Sequence, residues 1–387
     1  MPEIKKKILH VTKRYPPYIG GTESLCHDTC AALQEDYEQL VFAYNDKKET
    51  IREVYDGIDV IRVGVNVTIA SQPLSTKYWK LLLSVMNDFK PDIIHFDYPN
   101  PFGAHYLLKA IKKTNWKGKF VLFWVMDIIK QKSIEFLFRK QTIKLLNMAD
   151  IVQMLSPVYN KGTSYLPYYD KDYRVLAPRV GDFRLLVTKE QKDKANAIKK
   201  ENEGKTICFF FGRHVKYKGL SYLIESAKLL DKDKFIFYIG GKGPLTKELM
   251  KQAKDFSNIK FLGVLDNGDI NSYLMACDIF LFPSITRNEA YGISLAEAMW
   301  FGKPSVTFTI TGSGVNWVSL NGKTGIEVEN RNIQAYSDAI IELSNNKSLY
   351  QQMSLESFKR AHTFFSKEYF DDCAKRQYNS LFSSSQK

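Results

Sequence analysis

Arg213 and Lys218 stand five residues apart where an apolar strand ends, in Phe211-Gly212-Arg213-His214-Val215-Lys216-Tyr217-Lys218-Gly219. Gly212 lets the backbone turn closely, and a helix follows. Arg offers a planar fork of donors, Lys a compact charge and the helix start a dipole, so together they outline an anion site. The competing reading is two solvated surface cations. A second cluster, Gly240-Gly241-Lys242-Gly243-Pro244, also follows an apolar strand; alone it marks no more than a tight turn. Two carboxylates come third. Glu289 lies in the loop after strand Ile279–Phe282, and Glu297 lies eight residues further on, in a helix. Paired carboxylates accept hydrogen bonds from the hydroxyls of a sugar or ribose. Helix capping and surface charge are the alternative.

The elements that must position these groups alternate in type. Short apolar strands are expected at Lys7–Thr12, Leu40–Tyr44, Val60–Val65, Ile93–Phe96 and Phe120–Val125, with helical stretches at Lys77–Phe89 and Gly103–Lys113 between them. Such alternation predicts an α/β fold with a doubly wound parallel sheet. A polar stretch, Lys189–Lys205, then reads as a linker, with a domain boundary near residues 180–200. The alternation restarts with strands Thr206–Phe211, Phe235–Ile239, Lys260–Leu262 and Ile279–Phe282. Sheets of this kind bind ligands beyond the carboxyl ends of their strands.

The composition agrees. The chain has 387 residues, 44% hydrophobic and 25% charged, which excludes disorder and collagen-like repeats. Its formal net charge of +13 calls for an anionic partner: nucleic acid, a lipid headgroup surface or a phosphorylated ligand. No apolar run approaches the ~20 residues of a membrane span, and the start of the chain lacks a signal peptide's apolar region. The cysteines are Cys26, Cys30, Cys208, Cys277 and Cys373, with no Cys-x-x-Cys pair. Cys26 and Cys30 flank His27, but no second ligand pair accompanies them, so no metal is expected and a reducing cytoplasm fits best.

In combination, strand–GR-x4-KG, then G-x-GP, then E-x7-E resembles the nucleotide-sugar-dependent glycosyltransferases of family 4, which have the GT-B fold. The neighbouring residues strengthen the likeness: Glu297-Ala298-Met299 with Gly302-Lys303-Pro304, and Thr311-Gly312-Ser313-Gly314. In the first half it extends through Tyr15-Pro16-Pro17-Tyr18-Ile19-Gly20-Gly21 and Pro91-Asp92-Ile93-Ile94-His95. The chain is most similar to bacterial enzymes that build surface polysaccharide, including mannosyltransferases.

The resemblance implies two Rossmann-like domains facing a cleft: an acceptor domain over 1–185, a donor domain over 186–365, and a C-terminal helix over 366–387 that returns to the first. It implies a retaining, metal-independent hexosyltransferase that needs no cofactor and uses a GDP- or UDP-linked sugar as substrate. Arg213 and Lys218 would hold the donor diphosphate, and Glu289 would contact the transferred sugar. Glu297 would bind the ribose. Backbone of Ala290, Tyr291, Gly292 and Ile293 would line the donor, and Gly20, Gly21, Gly212, Gly241 and Gly243 would let loops approach it. His95, Asp97 and Asp127 are candidates for acceptor contact; an interior histidine and helix caps are the alternatives.

The departures lie in the first half. Relatives often carry histidines where this chain has Phe123 and Val125, and His-x-His where it has His95-Phe96-Asp97. Ala177-Pro178-Arg179-Val180-Gly181-Asp182 fits the usual Pro-x-Gly-x-Asp pattern poorly. An unusual sugar, such as a 6-deoxy sugar, or an unusual acceptor would account for this. A catalytically impaired partner of another transferase is the alternative.

A basic group within residues 109–144 (Lys109, Lys112, Lys113, Lys117, Lys119, Lys130, Lys132, Arg139, Lys140 and Lys144) is opposed only by Asp127 and Glu135. A helix over Ser133–Met148 with Ile134, Leu137, Phe138, Leu145 and Met148 on one face suits an anionic membrane surface, and a polyprenyl-diphosphate-linked or glycan acceptor would lie there. A helix packed on its own sheet with a solvated basic face is the alternative. No nucleic-acid reading module is present, so nucleic acid is not an expected partner. The expected location is cytoplasmic, peripheral on the plasma membrane's inner face if that surface binds lipid.

Overall fold

The computed structural model describes residues 5–18, 21–69, 72–127, 132–169, 173–180 and 186–383. Contacts divide the chain into two compact units, Met1–Leu176 with Phe370–Lys387, and Ala177–Tyr369. The change falls at Leu176, ahead of the expected 185, and the returning segment begins at Phe370, not 366.

The first unit is built on parallel strands β1 (Lys6–Val11), β2 (Tyr37–Tyr44), β4 (Ile58–Val63), β7 (Ile93–Tyr98), β8 (Lys119–Trp124), β9 (Ile151–Met154) and β10 (Tyr173–Val175). β3 (Ile51–Tyr55) adds an antiparallel edge, and the order is β10-β9-β8-β7-β1-β2-β4-β3. β1 and β7 are wholly or largely buried, as strands covered on both faces must be. Helices α1 (Gly21–Leu33), α2 (Tyr78–Phe89), α3 (Pro101–Thr114) and α4 (Lys132–Met148) connect them; β5 (Val67–Ile69) and β6 (Gln72–Leu74) form a separate hairpin.

In the second unit the strands are β11 (Thr206–Phe211), β12 (Phe235–Gly240), β13 (Ile259–Gly263), β14 (Ile279–Phe282), β15 (Ser305–Phe308) and β16 (Gly325–Val328), all parallel, in the order β13-β12-β11-β14-β15-β16. The chain runs outward from β11 through β12 to β13, then returns to β14 on the other side of β11. The carboxyl edge between β11 and β14 is therefore a topological switch point, where open α/β sheets bind ligands. β15 and β16 escaped the sequence reading because their four residues each, Ser-Val-Thr-Phe and Gly-Ile-Glu-Val, mix polar and apolar types and show no continuous apolar run.

The expected linker over Lys189–Lys205 is instead largely helix α5 (Lys189–Glu201). Thr188 and Gln191 close a reciprocal capping box at its start, and only Ala195 and Ile198 are buried. Two buried apolar residues are too few to show a helical period, so the segment reads as polar loop. α5 packs on α8 (Asn267–Ala276), and Lys194 pairs with Asp269.

Helix α13 (Lys367–Asn379) ties the end of the chain to the first unit. Gln377 accepts from Gln153 at 2.9 Å and donates to the Val175 carbonyl at 2.8 Å, and Tyr37 donates to Asn379 at 2.8 Å. Tyr378 is fully buried there with its hydroxyl on His95.

Losing the capping box tests whether α5 is a formed helix. Thr188→Ala is expected to lower the stability of the second unit by about 1 kcal/mol in denaturant unfolding. A variant indistinguishable from wild type would mean that the helix start is not held by this cap.

Candidate active site

At the switch point, Lys218 arrives from the loop after β11 and Glu289 from the loop after β14. Lys218 Nζ lies 2.5 Å from Glu289 Oε2, with each side chain 11% exposed. Each strand ends in a turn that forces this meeting. After β11 the chain makes one short turn of helix at Lys216–Lys218, and Gly219 opens α6 (Leu220–Lys228) at φ 66°. A Cβ on Gly219 would fall 2.0 Å from the Pro283 carbonyl oxygen, so only glycine lets the two loops pack. The Tyr217 carbonyl accepts the Ile285 amide at 2.9 Å, which fastens the same loops together. Lys218 Nζ also sits 4.8 Å from the centre of the Phe282 ring.

Glu289 is held from several sides. Ser284 donates to its Oε2 at 3.0 Å, its amide donates to the Thr286 carbonyl at 3.0 Å, and Ser313 donates to its own carbonyl. The Ala290 carbonyl accepts the Gly314 amide at 2.9 Å, and Arg287 Nε donates to the Gly312 carbonyl at 3.1 Å. The loop after β15 thus buttresses the loop after β14. Neither Ser284 nor Ser313 carried an expected role; Ser313 stood inside a recognisable motif, but its job appears only in three dimensions.

Arg213 is exposed at the rim, one residue from the fully buried His214. Burial lowers the His214 pKa, which keeps the ring neutral beside this cationic loop. His214 binds the Thr246 hydroxyl at 3.0 Å through Nδ1 and the Gly240 carbonyl at 3.3 Å through Nε2. Its amide donates to the Lys242 carbonyl at 3.1 Å. The glycine cluster after β12 serves this junction. Gly241 has φ 109°, and a Cβ there would lie 2.0 Å from the Gly212 oxygen. Gly241 and Gly243 are thus first needed to seat the loop that carries Arg213.

Gly292 precedes α9 (Ile293–Trp300) at φ 101°. The first amides of α9 point out of the helix start, with the dipole behind them. Ala290 and Tyr291 are buried, with the Tyr291 ring among Trp317 and Phe365, so their backbone and not their side chains borders the site. Glu297 is half-buried about one turn into α9, on the same helix that the Glu289 loop enters.

The first unit corrects several expectations. Gly20 lies outside the described residues; Gly21 opens α1 and is exposed. His95 lies in its expected strand as an interior histidine, whereas Asp97 is not in the loop beyond it: both belong to β7 and are 0% and 3% exposed. His95 Nε2 lies 2.9 Å from Asp97 Oδ1, and its other nitrogen meets Tyr378. The returning helix α13 covers them, which sequence spacing could not show. Asp127 follows β8 and is half-buried, accepting from the Trp124 indole at 2.8 Å while its amide donates to Tyr159 at 2.9 Å. Phe123 and Val125 are buried core, with the Phe123 ring edge-on to His95. His27 turns away from Cys26 and Cys30 to Asp56, at 3.0 Å.

The basic group is not one surface. Lys112, Lys113 and Lys117 are exposed beside the amino end of β8, whereas Phe136 to Lys140 follow its carboxyl end. Lys109 stacks on Trp79 and Lys119 pairs with Asp150 at 3.2 Å. Lys130 and the Lys132 and Ile134 side chains lie outside what is described. On α4, Leu145 is buried but Leu137 is 74% exposed, beside Phe136 at 76%. The expected single apolar face is thus split. Among the described residues no helix is long and apolar enough to cross a membrane.

Both units have known relatives. The family model described as glycosyl transferases group 1 matches residues 191–360, and that for Glycosyltransferase Family 4 matches residues 19–125. The chain is 29% identical to O-antigen chain mannosyltransferase C of Escherichia coli over 98% of this chain and 99% of that one. It is 26% identical to a D-rhamnosyltransferase of Pseudomonas aeruginosa, covering 93% of this chain and 92% of the relative. Among solved structures, Anabaena HepE in complex with UDP superposes with a TM-score of 0.77 at 17% identity, covering 97% of this chain and all of that one.

The ion pair supplies its own test. Lys218→Met strands a nearly buried carboxylate and is expected to destabilise the second unit by about 3 kcal/mol. Lys218→Met with Glu289→Gln is expected to recover most of that loss. A double variant as unstable as the single one would show that the two charges do not depend on each other.

Proposed function

The chain belongs to the family 4 glycosyltransferases and has their GT-B fold, and from that premise we propose a donor chemistry for the β11–β14 switch point. The enzyme transfers mannose or a 6-deoxy relative from a nucleotide-sugar to a glycan or polyprenyl-diphosphate-linked acceptor, in bacterial surface-polysaccharide synthesis. The Lys218–Glu289 pair is the observation that carries this reading. It places a cation for a diphosphate and a carboxylate for sugar hydroxyls side by side, in a nearly dry setting where both interactions are strong.

Lys218 Nζ keeps further hydrogens for the phosphate next to the sugar, and Arg213 adds a planar fork from the rim. Negative charge grows on that phosphate as the sugar–oxygen bond breaks, and both cations stabilise it more in the transition state than before. Two fixed positive charges do the work that a divalent ion does in other transferases, so transfer proceeds without added metal. Ser284 and Lys218 both meet Glu289 at Oε2, which directs Oε1 to a sugar hydroxyl. Glu297 receives the ribose hydroxyls, and the α9 amides face the phosphates. The acceptor attacks from the face the leaving group vacates, which retains the anomeric configuration.

The mannosyl- and rhamnosyltransferase relatives support a manno-configured donor, and the UDP complex of a protein of the same fold supports a nucleotide-sugar in general. GDP is the nucleotide we assign. The exposed Phe136 and Leu137, beside Arg139 and Lys140, suit shallow insertion into an anionic leaflet where a lipid-linked acceptor lies.

Three experiments test these assignments. In a panel of UDP-, GDP-, dTDP- and ADP-sugars, GDP-mannose or its 6-deoxy analogue is expected to stabilise the protein by about 2.7 kcal/mol at a hundredfold excess over Kd. Arg213→Ala is expected to keep the unliganded melting temperature and to lose roughly 100- to 1000-fold in turnover measured without added divalent metal. Stabilisation by UDP-sugars alone would overturn the nucleotide assignment, and full activity of Arg213→Ala would overturn the diphosphate role. Flotation with anionic vesicles is expected for wild type and to be lost in Phe136→Glu/Leu137→Glu; equal flotation of both would remove the lipid contact.

A further inference from the structure

His10, Cys26 and Cys30 converge in the interior of the first unit, apart from the donor chemistry. Their ligand atoms lie within 4.8 Å of one another, and all three residues are 0% exposed. Cys26 and Cys30 are one turn apart on α1 and face the sheet; His10 is on β1, in register with His95 of β7. The sequence pointed to His27 as the companion of the cysteines, yet the ring that meets them comes from the strand beneath the helix.

Two features distinguish this cluster from ordinary core. Gln39 donates its amide to the Cys30 carbonyl at 2.8 Å, which fixes its other atom, Oε1, toward His10 Nε2 at 2.8 Å. An oxygen there requires Nε2 to carry the proton, which leaves Nδ1 as a bare lone pair. That atom is buried, has no nitrogen or oxygen partner, and faces the Cys30 thiol. A carbonyl holding the far nitrogen of an imidazole is the usual support of a metal-bound histidine. The second feature is Asp97, whose Oδ1 is taken by His95 while its buried Oδ2 has no partner. Asp97 interacts electrostatically with both Cys26 and His10, which puts its carboxylate beside the cluster. Buried polar atoms without partners call for an explanation.

We propose that His10 Nδ1, Cys26 Sγ and Cys30 Sγ bind a zinc ion, with Asp97 Oδ2 as fourth ligand. Two thiolates, an imidazole and a carboxylate form a closed tetrahedral set for a structural zinc. Zinc–ligand bonds of about 2.0–2.3 Å put neighbouring ligand atoms roughly 3.3–3.8 Å apart, so His10, Cys26 and Cys30 close by about 1 Å, while Asp97, which stands outside their 4.8 Å group, turns further to complete the set. The thiols lose their protons on binding, and the bound ion fastens α1 to β1 beside the β1–β7 switch point.

The test uses the full chain purified from cells grown with zinc or with cobalt. About one zinc per chain is expected by elemental analysis, retained through dialysis against a weak chelator. Cobalt-grown protein is expected to show thiolate-to-metal charge-transfer absorption and intense tetrahedral bands, a readout that needs no variant to fold. Cys26→Ser and His10→Ala are each expected to lose the ion, Cys277→Ser to retain it, and Asp97→Asn to bind it at least tenfold more weakly. Metal-free protein from both media, a weak octahedral cobalt spectrum, or zinc content unchanged in Cys26→Ser would each overturn the proposal. Wild-type affinity in Asp97→Asn would overturn the fourth ligand.

Discussion

The second unit depends on one meeting of opposite charges at a sheet edge. Lys218 and Glu289 reach each other because β11 and β14 are neighbours in space although some seventy residues separate them in sequence. Left unpaired, each charge would be costly at that depth. The requirement that they pair fixes how closely the loops after β11 and β14 approach. That approach in turn explains why Gly219 must lack a side chain and why Ser284 and Ser313 grip the carboxylate loop. The same constraint leaves a preformed cation beside a preformed hydrogen-bond acceptor, the complement of the diphosphate and sugar hydroxyls of the proposed donor.

Around that pair the site is assembled from backbone more than from side chains. Tyr291 and Ala290 are spent on the core, and Gly241 and Gly243 on seating the Arg213 loop. What remains at the surface of the edge is the rim Arg213, the amides at the start of α9, and Glu297 further along that helix. Such a site is rigid before any donor arrives, which lowers the ordering cost of binding.

Much of this was legible in the sequence, and the failures have physical causes. The strand–turn–helix junctions of the second unit announced themselves because apolar runs, glycines and charges fall at fixed offsets. α5 hid because a capping box and two buried residues make a helix with almost no apolar stripe. His95 was legible as an interior histidine, but Asp97 was placed in a loop because nothing near it in sequence says that β7 runs on to Tyr98 under Tyr378, from the far end of the chain. His10 was missed as a neighbour of Cys26 and Cys30 because a strand and the helix laid over it share no sequence spacing.

The most direct test of the account is a crystal structure of the full chain with an unhydrolysed analogue of GDP-mannose. The account predicts the diphosphate within hydrogen-bond distance of Lys218 Nζ and Arg213, the ribose hydroxyls on Glu297 and a sugar hydroxyl on Glu289 Oε1. A nucleotide bound elsewhere, with the Lys218–Glu289 pair untouched, would contradict it.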